Sequence, residues 1–524
     1  MDAVSQHFAK PSCKRTRIVS VPPLESRNPR SGLRAFACLA AAGALCLVAR
    51  VSSATPKEVE ARVRRVEQGL LPAVLVHGEK HPGMLLEDRM RRWNVPGLSI
   101  AVIDRGSIAW ARGYGVTEAG GTDSVTAETA FQAGSVSKPV AAMAALQLVE
   151  SGALGLDQDV NRSLTTWRIP ASDSSAGIQI TLRMLLTHSA GLTVHGFPGY
   201  AIGDSMPSLT QVLDGLPPAN TPPIRVDMRP GRAFRYSGGG FCVVQQLLTD
   251  VAGGSYPDLM AKTVLRPLGM DHSSFDQPRE EVVGLHRAAG HAPDGSLIQG
   301  KWHRYPELAA AGLWTTPTDL AKLALDVQKG WRGSLPHVFS SATVRAMLSP
   351  QITPTQGLGW RLAGRGQSAR FEHSGDTDGF ACAVVGYLEH GQGAVVMTNG
   401  SRGENLVQEV MRSIAKEYGW QGYLPPERRV VDLPESTLAR HIGRYALDVA
   451  PNVFIDVAAD HDSLSIAVIQ PSGTERGRVL PESPDRFFER ESGIEITFFP
   501  GTGSSAKSCL IRQGSETYRA TQVR

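Results

Sequence analysis

The chain has 524 residues, of which 42% are hydrophobic and 20% charged, with a formal net charge of +4 at pH 7. That balance fits a folded protein with a large core and excludes disordered, collagenous and polytopic membrane classes. Residues 1–54 hold eight Lys/Arg and two Asp/Glu, leaving 46 basic against 48 acidic residues beyond them. The basicity therefore belongs to the first segment, and nothing points to nucleic acid or an anionic membrane as partner.

Residues 1–54 read as an export leader. Arg27, Arg30 and Arg34 precede the apolar run Ala35–Ala49, and Ser52 and Ala54 are the small residues a signal peptidase requires, so Thr55 begins the mature chain in the periplasm or outside the cell. The run is short for a bilayer and Arg50 ends it, so no stable membrane span is expected after processing. Cys13, Cys38 and Cys46 leave with the leader. Cys242, Cys382 and Cys509 have no metal-ligand spacing, and Cys242 and Cys382 lie in apolar runs that suit buried free thiols better than a disulfide. No metal or organic cofactor is expected.

Pro56–Arg92 is charged and reads as helical, giving an N-terminal helical extension over 55–84. Leu98–Ile103 and Ser107–Trp110 flank Asp104-Arg-Gly106 and predict a hairpin. Val140–Val149 is alanine-rich and unbroken, and Pro139 fits only a first turn, so Ser135 stands at or just before a helix start. Helical patterns then alternate with loops, of which Gly215–Pro230 is long enough for a lid or a site-lining loop. Phe380–Leu388 and Ala394–Thr398 return to strand patterns, followed by a helix over Leu406–Tyr418. Strands at both ends of one domain, with helices between, predict an α+β fold over 85–421: one antiparallel sheet flanked by helices, with an inserted helical subdomain. A linker over 422–433 and short alternating runs predict a small separate β-domain over 434–524.

A serine and a lysine three apart at a helix start share a face, so the amine can reach the hydroxyl. The spacing occurs at Ser135/Lys138, Ser413/Lys416 and Ser504/Lys507, and only the first follows a glycine and opens a long apolar helix. Pro230–Phe241 puts Tyr236 beside Ser237-Gly-Gly-Gly240, where a phenol can face a cleft and backbone can approach a ligand. His373-Ser-Gly-Asp376 precedes a strand, where a histidine and backbone amides can serve an oxyanion.

The order Phe131-Gln-Ala-Gly-Ser-Val-Ser-Lys138, Tyr236-Ser-Gly238, His373-Ser-Gly375 resembles the three site motifs of the serine β-lactamase and penicillin-binding-protein superfamily. Within it the chain is most similar to the branch of class C β-lactamases, D-alanyl-D-alanine carboxypeptidases, D-aminopeptidases and β-lactamase-like esterases. Thr181–Leu192, Leu265–Met270, Ala311–Leu320 and Gly357–Trp360 support that resemblance, and Ile442–Tyr445 is similar to the β-domain appended to some of these hydrolases. No G-x-S-x-G elbow is present, against an α/β-hydrolase.

The resemblance implies catalytic roles for Ser135 as nucleophile, Lys138 as proton acceptor or relay, and Tyr236 as partner base and donor to the leaving group. It places the amides of Ser135 and Asp376 in the oxyanion site, with His373 and Gly375 lining it. Two departures stand out. Gly238 replaces an Asn that binds the substrate amide in many relatives, and His373 replaces a Lys that attracts a substrate carboxylate. The expected function is an exported serine hydrolase acting on an ester or a D-amino-acid amide. The alternatives are a β-lactamase or D,D-carboxypeptidase and a non-catalytic binding protein of the same fold. Oligomeric state is not legible, and the β-domain reads either as a support or as a binder of cell wall or another protein.

Overall fold

The computed structural model describes residues 55–278, 286–334, 338–470, 473–501, 507–514 and 516–523. The leader, with Cys13, Cys38 and Cys46, lies outside them, as does Ser504. Helix α1 spans Pro56–Glu67 and α2 Leu86–Arg92, joined by an irregular stretch whose only strand among the described residues is Leu75–Val76. The single helical stretch expected over Pro56–Arg92 is therefore two helices, because Gly69, Pro72 and Pro82 interrupt it.

The expected hairpin forms from β1 (Gly97–Asp104) and β2 (Ser107–Gly115). Arg105 and Gly106 take φ of 51° and 76° at its turn, the left-handed pair that suits the twist of two-residue hairpins. Four later strands complete the sheet: β3 (Arg361–Ala363), β4 (Arg370–Thr377), β5 (Phe380–Tyr387) and β6 (Gly393–Thr398). Their order is β2-β1-β6-β5-β4-β3, antiparallel throughout, so the two ends of the domain share one sheet through the β1–β6 pair.

Alternation along β1 divides the apolar residues between faces. Leu98, Ile100 and Val102 pack with Val63, Val66, Leu406, Val410 and Ile414, covered by α1 and α7 (Gly403–Tyr418). Ala101 and Ile103 belong to the second core with α3 (Ser137–Glu150), α4 (Gly238–Ala252) and α6 (Pro317–Trp331). Helix α3 is buried from Ser137 to Leu146, as its run of alanines allows in a helix packed on all sides. Pro139 occupies its first turn, where no intrahelical N–H is lost. On the opposite face, Arg89 makes two hydrogen bonds to Glu409 (2.9 and 2.6 Å), a buried pair that also receives the Trp93 indole N–H at 3.2 Å.

The C-terminal strands close into an eight-stranded antiparallel barrel, in which Gly443–Leu447 pairs with Glu516–Val523. Its interior is filled by residues including Tyr445, Ile455, Leu464, Val479, Phe487, Ile496 and Phe498, with Leu438 packed among them. The barrel meets the N-terminal segment. Ala73 and Val74 donate backbone hydrogen bonds to Glu491 and Arg490, while Val74, Val76 and Phe488 form a small apolar contact. The stretch expected as a linker is pinned as well, since Glu427–Arg428 pairs in parallel with Leu75–Val76.

Among the described residues no helix is long and apolar enough to cross a membrane. Cys242, Cys382 and Cys509 are free and buried.

Candidate active site

Ser135 lies in a short 3₁₀ turn, Gly134–Val136, which leads directly into α3, so Lys138 occupies the first turn of that helix. Two glycines allow this turn to sit against β4. Gly134 has φ +47°, and a Cβ there would stand 2.4 Å from Asp376 O. A Cβ on Gly375 would stand 2.0 Å from Ala133 O and 2.9 Å from Ser135 N. No side chain fits between the two backbones, which puts the peptides of Ser135 and Asp376 side by side. The turn is further fixed by Ser137, whose Oγ donates to Gly134 O (2.6 Å) and accepts from Leu313 N (3.0 Å).

Three of the expected residues meet at one atom. Lys138 Nζ donates to Ser135 Oγ at 2.9 Å, and Tyr236 OH donates to the same oxygen at 2.9 Å. Lys138 is buried and also donates to Ala310 O at 2.8 Å, the carbonyl of a short helix, α5 (Leu308–Ala311), so its Nζ has a fixed position. Tyr236 stands just before α4, whose N-cap Ser237 accepts from Gly240 N at 3.0 Å. The Tyr236 ring is stacked on His188, with centroids 4.3 Å apart and planes at 28°. His188 sits at φ 54° and its Nδ1 accepts from Ser237 N at 3.2 Å. Burial and then the Lys138 charge hold His188 well below the usual imidazole range, so it is a neutral positioning group for the phenol.

His373 is buried, and its Nδ1–H donates to Ser374 O at 2.6 Å, which leaves Nε2 as an acceptor. Burial, reinforced by Lys138, pushes its pKa down to about 3. It therefore lines the site as a neutral ring rather than a cation. Gly238 opens α4, and a Cβ there would meet the Phe197 ring at 2.8 Å and His195 O at 3.0 Å. The space beside residue 238 is thus taken by an aromatic ring, and a larger side chain at 238 requires Phe197 to move.

Ser135, Lys138, Tyr236, His373 and Asp376 line one cavity of about 630 Å³, together with His195, Phe197, Phe234, Tyr305, Thr353, Thr355, Gln356 and Arg361. Its walls differ in character: Phe197, Phe234 and Tyr305 are aromatic, while the threonines, Gln356 and Arg361 are polar. Gly375 lies beneath, in β4 where that strand touches the Ser135 turn. The loop expected to line the site, Gly215–Pro230, contributes nothing to this cavity. It packs back on its own subdomain, with Ile224 and Val226 buried and Leu192 bridged to Val226, and the lining role falls to His195–Phe197. The second Ser/Lys pair is structural, because buried Ser413 donates to Val66 O at 2.8 Å and Lys416 is exposed.

Sequence reasoning missed His188, Phe197, Tyr305 and Arg361. His188 lay inside a supporting stretch, Thr181–Leu192, and could have been marked there. Arg361 had no local signal, since only the pairing of β3 with β4 brings it beside His373. Glu307 was equally unmarked: its side chain is wholly buried, neither carboxyl oxygen has a side-chain partner among the described residues, and burial, opposed by its own backbone amide, pushes its pKa up to about 8.

A serine hydroxyl held jointly by a lysine and a tyrosine, under the strand of an antiparallel sheet, defines a serine hydrolase of the β-lactamase and penicillin-binding-protein class. The chain belongs to the beta-lactamase family, whose pattern matches residues 84–417. It is 22% identical over 456 residues to penicillin-binding protein 4* of Bacillus subtilis (strain 168), covering 83% of this chain and 97% of that protein. It is 26% identical over 357 residues to the unguisins hydrolase ungD' of Aspergillus campestris (strain IBT 28561), 61% of each chain. Among solved structures, the octameric penicillin-binding protein homologue from Pyrococcus abyssi aligns with a TM-score of 0.56 at 22% identity, over 83% of this chain and 98% of that one. The D-amino acid amidase from Ochrobactrum anthropi SV3 complexed with L-phenylalanine aligns with a TM-score of 0.53 at 19% identity, over 68% and 98%. These structural likenesses bear on the fold.

Proposed function

We propose that this hydrolase is exported and cleaves an ester or a D-amino-acid amide through an acyl-enzyme on Ser135. The carrying observation is the convergence of Lys138 Nζ and Tyr236 OH on Ser135 Oγ, each at 2.9 Å. In the acylation step the Ser135 proton passes to the Lys138–Tyr236 pair as Oγ bonds to the substrate carbonyl carbon. The oxyanion is received by the adjacent backbone amides of Ser135 and Asp376. Tyr236 then protonates the leaving alcohol or amine, the carbon–heteroatom bond breaks, and water cleaves the Ser135 ester by the reverse proton path. Neutral His373 and the Phe197 ring beside Gly238 leave no side-chain cation or amide at the two positions where the resemblance implies one, which supports esters and simple amides over penicillins.

Arg361 favours a second reading. It is exposed on the cavity wall next to His373 and makes no ion pair among the described residues, so it can hold the carboxylate of a β-lactam or of a D,D-peptide. Steady-state kinetics with p-nitrophenyl acetate, D-phenylalanine amide, a penicillin and an acyl-D-Ala-D-Ala peptide separates the two, with Ser135→Ala as the blank. Turnover of the ester or the amide in the wild type alone supports the first reading; turnover confined to the penicillin or the D,D-peptide replaces it with the second. Among the described residues no barrel residue lines the cavity, which supports a supporting role for residues 434–524. Export is tested by N-terminal sequencing of protein recovered outside the cytoplasm, with Thr55 as the expected first residue.

A further inference from the structure

Lys138 Nζ has two partners, Ser135 Oγ at 2.9 Å and Ala310 O at 2.8 Å. To take the Ser135 proton, Lys138 must be a neutral amine with two N–H groups and one lone pair. Donating one N–H to Ala310 O restricts where that lone pair can point, so whatever fixes the carbonyl also aims the base. The carbonyl belongs to α5, which has four residues and is too short to hold its shape unaided. Just beyond it the chain is stitched to the nucleophile turn, because Leu313 N donates to Ser137 Oγ at 3.0 Å and Leu313 O accepts from Ala133 N at 2.8 Å.

The start of α5 is held from another helix. Its N-cap residue, Glu307, makes no side-chain cap. Instead Gln245, buried in the middle of α4, reaches across to it: Oε1 accepts from Ala309 N at 3.1 Å, and Nε2 donates to Pro306 O at 3.1 Å. These partners fix the orientation of the amide, since Ala309 N can only donate and Pro306 O can only accept. Helix α4 also begins directly after Tyr236, so one helix presents the phenol and grips the carbonyl that faces Lys138. We propose that Gln245 is a positioning residue for the Lys138 amine: by holding the backbone on both sides of Glu307 it sets α5 so that Ala310 O aims Nζ at Ser135 Oγ. This rests on the acyl-enzyme reading above and adds a residue to it.

The test uses the full mature chain and the nitrophenol released when p-nitrophenyl acetate acylates Ser135. Gln245→Met keeps the side-chain length and removes both polar contacts; its acylation rate at saturating ester should fall about tenfold, with the ester's apparent affinity within about twofold of wild type. In a Lys138→Ala background the same substitution should change residual acylation by less than about twofold, because no amine is left to aim. A defect of full size in that background is general loosening of the site and overturns the proposal, as does wild-type acylation by Gln245→Met. Gln245→Glu adds a pH signature: the protonated acid offers the donor and acceptor of the amide, whereas the ionised one faces Pro306 O with acceptors alone. Its rate relative to wild type should therefore be higher at pH 6 than at pH 8, and a flat ratio overturns the proposal even if Gln245→Met does not fold. If the wild type is acylated on Ser135 and Gln245→Met is unimpaired, the positioning role falls and the acyl-enzyme stands. If the wild type is not acylated on Ser135, both fall.

Discussion

Glu307 offers a quantitative test of the buried architecture behind the site. Its carboxyl group is fully buried without a side-chain partner among the described residues, in the residue that precedes the short helix whose Ala310 carbonyl holds Lys138. Burial raises its pKa from 4.5 to about 8. The folded state therefore keeps a proton that the unfolded chain releases. Stability is complete below pH 4.5, declines as pH rises, and has lost the whole increment once pH passes about 8. Glu307→Gln is nearly isosteric and cannot ionise, so it removes this dependence. Between pH 5 and pH 8 the variant should gain about 3–4 kcal/mol on the wild type, from 1.36 kcal/mol per unit over most of that three-unit interval. Urea titrations of both proteins at pH 5 and pH 8 measure the change. A gap of the same size at the two pH values, or one that shrinks toward pH 8, refutes the assignment of Glu307 as a buried neutral acid.

Arg89→Ala leaves the buried Glu409 carboxylate without its cation and should cost about 3–5 kcal/mol by the same titration; a loss below about 1 kcal/mol contradicts the burial. Gly134→Ala forces a Cβ onto Asp376 O, so kcat/KM on the best ester should fall about 100-fold while far-UV circular dichroism is retained, and near-wild-type activity would refute the close approach. Gly238→Asn should impair turnover because the new side chain meets Phe197, and adding Phe197→Ala should recover it. Failure of the double variant to exceed the single one would show that Phe197 is not the obstacle.

The meeting of Ser135, Lys138 and Tyr236 was legible because it is tied to local signals. Ser135 and Lys138 sit one turn apart at the head of an apolar helix, and Tyr236 adjoins a run of glycines that opens another. The apolar, β-rich runs Leu98–Ile103 and Phe380–Leu388 likewise marked strands that the structure joins into one sheet. What failed to show depends on long-range pairing. Gly215–Pro230 has the composition of a lid, yet Ile224 and Val226 draw it into the core. Arg361 reaches the site only through the β3–β4 register, and Phe197 only because Gly238 leaves room for its ring. The barrel's strands were visible as alternating runs, but closure depends on pairing the Tyr445 strand with the last one, some 70 residues on, and no local pattern reports that.

The central claim is that Ser135 carries the acyl group. Intact-protein mass spectrometry of residues 55–524, after brief exposure to a p-nitrophenyl ester beside a Ser135→Ala control, tests it most directly. The account predicts a mass gain equal to one acyl group in the wild type, absent from Ser135→Ala and lost with time as water cleaves the ester. A gain of the same size in both proteins, or none in either while nitrophenol is released, would contradict it.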